Sequence, residues 1–292
     1  MNSTVKGYAM AILAGATFGM IPMFTIPVIS HGMDYLSIII YRFIFGSVGM
    51  LAMLLARNVS LRISLKDFLN VCVLSAMYIF SALTLFSSYK YISSGIGTSL
   101  LYTDPIWCAL LGIIFLGQRP TWRLIIAMVI AFIGVAMLSG AFNGFASVSV
   151  LGVTLSIGAG IAYGLYLFVL PLLKISKMPA LKLTFYVFFN ALILAIIYIY
   201  VVGDGIAPVE HTSDWINLAL LGLVPTAFSN ICLTIALRLI DTNIVAILGA
   251  FEPLTAMVIG ICVLNEPFDA YTIIGGILIL IAIWVLIIKK KA

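Results

Sequence analysis

Residues 101–107 read Leu-Tyr-Thr-Asp-Pro-Ile-Trp, and residues 249–255 read Gly-Ala-Phe-Glu-Pro-Leu-Thr. Each holds an acid followed by proline, Asp104-Pro105 and Glu252-Pro253, near the middle of a long apolar stretch. The two pairs lie 148 residues apart, and the same offset carries Lys90 onto Arg238 and Gln118 onto Glu266. A carboxylate at the centre of an apolar helix is costly, and proline there frees a carbonyl that something must re-satisfy. Both features at equivalent places of a duplicated chain imply a polar site at mid-depth between two repeats.

Composition sets the surroundings of that site. The chain is 64% hydrophobic and 9% charged, with a mean hydropathy of +1.25, which excludes an ordinary soluble domain. Its length accommodates about ten membrane helices of roughly 20 residues each. The apolar stretches run 7–29, 35–56, 68–89, 92–117, 122–141, 149–173, 181–202, 214–238, 242–264 and 270–288. The first is too long for a signal-peptide core and lacks a small-residue cleavage site, so it reads as a retained helix. Cys72, Cys108, Cys232 and Cys262 all fall inside apolar stretches without metal or disulfide spacing. No metal and no cofactor are expected.

The basic residues give an orientation. With the N-terminus inside, 13 of the 15 Lys and Arg fall on inner segments, and Lys90 alone falls outside. Asp34, Asp204, Glu210, Asp214, Glu266 and Asp269 fall on the outer side. This bias places both termini in the cytoplasm. It also accounts for the net charge of +5 without nucleic acid.

Five helices per half is an odd number, so residues 145–292 enter the membrane inverted relative to residues 1–144. Gly15-Ala16-Thr17-Phe18-Gly19 matches Gly160-Ile161-Ala162-Tyr163-Gly164 at an offset of 145. Glycines at i and i+4 let helix backbones approach closely, so these segments read as helix contact faces, with Phe18 and Tyr163 turned off that face. The expected fold is therefore all-α and integral to the membrane. It has ten transmembrane helices in two inverted five-helix repeats around a central cavity.

Arg42-Phe43 in the second helix resembles the arginine-plus-apolar pattern of the EamA-type branch of the drug/metabolite transporter superfamily. The resemblance extends to Thr103-Asp104-Pro105 with Leu116-Gly117-Gln118-Arg119-Pro120-Thr121, and to Glu252-Pro253 with Leu264-Asn265-Glu266-Pro267. Family members usually carry Gly-Glu-Arg at each of these loop positions. Here Gln118 replaces the acid of the first copy, and Asn265 and Pro267 replace the neighbours of Glu266. The resemblance covers essentially the whole chain. It implies ten helices in two inverted repeats and export of small metabolites, often amino acids.

Each candidate residue has a structural reading beside the functional one. Asp104-Pro105 fits a helix restarting at mid-membrane with Asp as its cap, whereas Glu is a poorer cap. The functional reading gives Asp104 and Glu252 the cargo's amine or a coupling proton, since desolvation favours the protonated form of a buried carboxylate. Arg42 either snorkels outward to Asp34 or clamps a substrate carboxylate. Phe18, Tyr78, Phe80, Ser99, Tyr102, Trp107, Tyr163, Tyr166 and Asn230 are polar or aromatic groups within apolar helices, each explicable by packing. As a set they suggest a cavity for cargo with polar and apolar parts.

The expected function is export of small neutral or zwitterionic metabolites, amino acids foremost, by alternating access across a bacterial-type inner membrane. Expected partners are the lipid bilayer and a small-molecule substrate, with coupling protons and a homodimer left open. No Walker A motif and no Gly-x-Ser-x-Gly occur, so neither ATP hydrolysis nor serine intramembrane proteolysis is expected, and the chain is read as no enzyme. The alternatives are a multidrug or cationic-compound efflux protein, a non-transporting membrane protein, and an intramembrane enzyme using the two acids as a dyad. The first helix carries no acid, unlike the glutamate of small multidrug-resistance relatives, which counts against cationic-drug exchange.

Overall fold

Proline, serine and aspartate decide where the apolar stretches start and break. A computed structural model of the chain describes residues 3–92, 97, 100–138, 149–173, 175, 178–202, 205–264 and 270–287. The first stretch is two helices rather than one, α1 (Ser3–Phe18) and α2 (Ile21–Ser30), parted at Gly19-Met20. Pro22 stands in the first turn of α2, where a missing N–H costs nothing. Helix α3 (Tyr35–Ala56) starts at Asp34, whose carboxylate accepts from the Ser37 amide at 2.9 Å. Helix α4 (Leu65–Ser88) starts at Ser64, whose hydroxyl accepts from the Asp67 amide and donates to its carboxylate.

Helix α5 (Asp104–Leu116) ends at Gly117, which takes the left-handed conformation (φ 62°) that a C-terminal cap requires. Then follow α6 (Trp122–Leu138), α7 (Val150–Leu172) and α8 (Ala180–Val202). The expected single helix over 214–238 is α9 (Thr212–Leu221), a π-helical segment Gly222–Phe228, and α10 (Ser229–Leu239). Pro225 inside that segment cannot donate to the ladder, and the wider turn accommodates it. The stretch 242–264 is likewise split into α11 (Thr242–Leu248) and α12 (Phe251–Cys262). Helix α13 (Ala270–Ile287) closes the described chain.

All regular elements among the described residues are helical. Seven helical stretches are long and apolar enough to cross a membrane, and Asp104–Leu116, Trp122–Met137 and Ile273–Val285 are shorter apolar helices. Large apolar side chains, among them Phe115, Trp122, Val201 and Trp284, cover the outside. Such a surface is stable only against lipid, so the chain is a multi-pass membrane protein.

Packing is dominated by a few helix pairs. Helix α1 lies against α10 and α12, and α7 lies against α4 and α5. Helix α3 faces α8 and the π segment, and α6 faces α13. At one end, His31 after α2 reaches Asp214 of α9, with Nδ1 at 2.9 and 3.0 Å from the carboxylate oxygens. The His31 ring also stands 4.3 Å from that of His211. At the other end, Lys182 of α8 donates to the Arg62 carbonyl at 2.6 Å and the Tyr186 hydroxyl donates to that of Leu61.

Candidate functional site

Both acids stand at restarts of broken helices. Tyr102-Thr103 and Gly249-Ala250 are turns, after which Asp104 opens α5 and Glu252 is the second residue of α12. Asp104 is thus the first helical residue and not a cap. The preceding Thr103 takes helical dihedrals, and its hydroxyl donates to the Leu100 carbonyl at 2.8 Å while accepting from Trp107 Nε1 at 3.0 Å. The restart that the sequence allowed at Asp104-Pro105 is present, with Thr103 at the cap position and Asp104 one residue after it. Asp104 is 5% exposed and Glu252 is half-buried.

The glycine motifs hold these restarts in place. A Cβ on Gly15 would meet the Phe251 side chain at 3.0 Å and the Leu248 carbonyl at 3.1 Å, and one on Gly19 would collide with the Glu252 carbonyl. On the other side, a Cβ on Gly160 would stand 2.8 Å from the Leu101 carbonyl, and one on Gly164 would stand 2.9 Å from that of Asp104. Each Gly-x-x-x-Gly segment is thus a contact face, as the sequence suggested, and each faces the turn that carries an acid.

These contacts gather the polar groups. Asp104 and Glu252 lie within electrostatic reach of each other, and Tyr102 and Tyr163 within reach of both. Arg42 lies within reach of Glu252 and Tyr78. Its Nε donates to the Thr226 hydroxyl, which in turn donates to the Leu221 carbonyl at 2.8 Å across the π turn. Asn230 donates from Nδ2 to the Thr226 carbonyl at 2.8 Å. Arg42 therefore points into the bundle, while Asp34, its expected outer partner, is occupied in capping α3.

An aromatic group adjoins this polar one. The Tyr78 ring stands 4.9 Å from Phe188, 5.4 Å from Tyr166 and 6.3 Å from Tyr163. Phe18 is buried in the same core cluster, Trp107 is half-buried on α5, and the Tyr102 hydroxyl is buried without a hydrogen-bond partner. Phe80 is 56% exposed and turned outward, so it does not belong to the group. Ser99 and Glu266 lie outside the described residues.

Thr226 and Phe188 are the members the sequence reading missed. The only signal for Thr226 was its place after Pro225, and nothing in the sequence reported which helix would oppose it. Among the described residues no group of three or more His, Cys, Asp or Glu could hold a metal ion. What the arrangement offers is two carboxylates and one guanidinium in a low-dielectric interior, with phenol and phenyl faces beside them. Such a set can hold an ammonium group, a carboxylate and an apolar side chain together.

Comparison with known proteins agrees with this architecture. The profile of the EamA-like transporter family matches twice, over residues 5–140 and 150–288. An uncharacterized transporter of Archaeoglobus fulgidus is 25% identical over 266 residues, covering 88% of this chain and 89% of its own. The uncharacterized transporter YxxF of Bacillus subtilis is 24% identical over 229 residues, covering 78% and 72%. A solved crystal structure superposes with a TM-score of 0.79 at 16% identity, covering 98% of this chain and 96% of the other, which establishes likeness of fold. With both halves of the chain matched by its profile, the protein belongs to the EamA-like transporter family.

Proposed function

We propose that this protein exports small zwitterionic or neutral metabolites, with amino acids as the leading class, across the inner membrane of a bacterial-type cell. One observation carries the reading. Asp104 and Glu252 come within electrostatic reach of each other from two helix restarts, and Arg42 within reach of Glu252. Both signs of charge at one place inside the bundle are what an ammonium and a carboxylate on a single molecule need. In this reading Glu252 or Asp104 takes the amine or a coupling proton, Arg42 takes the carboxylate, and the tyrosines take the apolar part.

The reading includes ten membrane helices in two inverted repeats, residues 1–144 and 145–292, with both termini cytoplasmic. Exchanging the halves maps α1 on α10 to α7 on α4, and α1 on α12 to α7 on α5. It maps α3 on α8 and α6 on α13 each to itself. That pattern supports two repeats rocking about a site between them, which gives alternating access.

Counterflow in proteoliposomes tests the function, because exchange needs no energy source. Vesicles preloaded with mixed amino acids take up the labelled cargo class, and Asp104→Asn or Glu252→Gln lowers the rate or removes its pH dependence. Full transport with unchanged pH dependence in both variants refutes the role of the acids. Exchange of quaternary ammonium compounds in place of amino acids makes the protein a cationic-compound exporter instead.

A further inference from the structure

A second polar place lies away from the acid pair, at the end of the bundle that the basic residues assign to the cytoplasm. A cavity of about 450 Å³ opens there between the loop after α5 and the start of α11. That volume falls in the ~300–1,000 Å³ range of small-molecule pockets. Its charged and polar groups are divided between the walls. Arg119 and Arg123 come from the α5–α6 junction, and Asp241 and Asn243 come from the start of α11.

Two features point to a ligand site and a route. Asn243 is 8% exposed, and its side-chain oxygen is buried without a hydrogen-bond partner although the residue lines the cavity. An acceptor in that state lacks a donor. Asp241 gives one carboxylate oxygen to the Asn243 amide at 2.9 Å, so the α11 N-terminus holds the acid against the cavity. The remaining wall is α5 itself, through Ala109 and Ile113. Ala109 is about 1.4 turns from Asp104, about 7.5 Å along the helix axis. Cys108, beside it, lies within electrostatic reach of both Asp104 and Asp241.

We propose that this cavity is a loading site for the cargo, where a zwitterion sets its carboxylate against Arg119 and Arg123 and its ammonium against Asp241 and, once its amide turns into the cavity, the Asn243 oxygen. The proposal rests on the export reading above and adds a second site to it. Cargo collected at the inner mouth then passes along α5 to Asp104 and Glu252. Opposite charges on opposite walls favour a zwitterion over a molecule carrying either charge alone, so selection begins before the central site.

The experiment uses the full-length protein with Ile113→Cys, labelled by a water-soluble maleimide and read at position 113 by peptide mass spectrometry. The probe is an equimolar mixture of the standard amino acids without cysteine, whose thiol would itself consume the maleimide, and the control mixtures omit it likewise. Labelling slows about threefold once the bound species exceed about twice their Kd. Mixtures of N-acetylated amino acids or of amino-acid esters leave the rate unchanged. Arg119→Gln and Asp241→Asn each abolish the slowing, and asparagine keeps the cap that α11 requires. Thr121→Cys, in the same cavity wall, repeats the measurement should Ile113→Cys disturb the fold.

No slowing in protein that exchanges amino acids by counterflow overturns the loading site and leaves the export reading intact. The same holds for slowing that both charge variants preserve, or that the N-acetyl or ester mixtures reproduce. Slowing that meets every expectation in protein without counterflow upholds the site and refutes export. Neither slowing nor counterflow refutes both.

Discussion

A Cβ placed on Gly164 would stand 2.9 Å from the carbonyl oxygen of Asp104, so α7 meets α5 backbone to backbone at the acid itself. Gly19 bears the same relation to Glu252. Backbone cannot swing aside as a side-chain tip can, and overpacking of this kind costs ~1–3 kcal/mol. Gly164→Ala and Gly19→Ala are therefore expected to lower the melting temperature in detergent and the counterflow rate together. Gly158→Ala, where a Cβ would have nothing within 4 Å, is expected to change neither.

Thr226 is fully buried and holds Arg42 by its hydroxyl. Thr226→Val keeps the shape and removes the acceptor, leaving a charged donor unmatched at a cost of ~1.5–3 kcal/mol. The expected result is a counterflow rate reduced about tenfold or more, the kinetic equivalent of about 1.4 kcal/mol. Thr226→Ser retains the hydroxyl and should transport within about twofold of the parent. Equal loss in both variants would mean that packing, and not the bond to Arg42, matters at this position.

The His31–Asp214 pair joins α2 to α9, and its two partners are unequally exposed at 37% and 3% of their side chains. Removing Asp214 leaves a histidine that water can solvate. Removing His31 leaves a buried carboxylate without that partner. His31→Ala is thus expected to destabilise the protein more than Asp214→Asn, by ~1–3 kcal/mol against a smaller loss. Thermal unfolding in detergent orders the two, and the reverse order contradicts the assignment.

Orientation has a direct check. Ser60→Cys lies in the stretch before α4, on the side rich in Lys and Arg, and Glu210→Cys lies just before α9. In intact cells a membrane-impermeant maleimide should label position 210 and spare position 60 until the membrane is opened. The opposite pattern inverts the topology and moves the charge-divided cavity to the outer face.

Much of this architecture was legible from local sequence. Asp104-Pro105 admitted a helix restarting at mid-depth because proline and a buried acid each carry a cost that any fold must meet, whereas Glu252-Pro253 suited that reading less well and the run over 242–264 read as one helix. The Gly-x-x-x-Gly segments marked close helix contact for a similar reason, since only glycine lets backbones meet. What stayed hidden was set by distant partners. Arg42 had Asp34 two turns away in sequence, yet it bonds Thr226, 184 residues on, because α3 packs against the π segment. Phe80 and Tyr78 are two residues apart on one helix, and their periodicity alone did not say which of them faces the interior. The breaks at Gly19-Met20 and across Gly222–Phe228 were missed because each apolar run continues through them, and hydropathy registers no change of pitch.

The π turn at Gly222–Phe228 lies in the second half, and its counterpart in the first, α4, runs as plain α-helix from Leu65 to Ser88. Under the two-repeat reading, a carrier built from identical inverted halves would be its own mirror in function. Its inward-open and outward-open forms would be equal in energy, and neither would be preferred at rest. A wider turn on one side, with Arg42 anchored to it, removes that degeneracy. The unloaded protein then has a resting form set by its own covalent sequence, before any gradient acts on it.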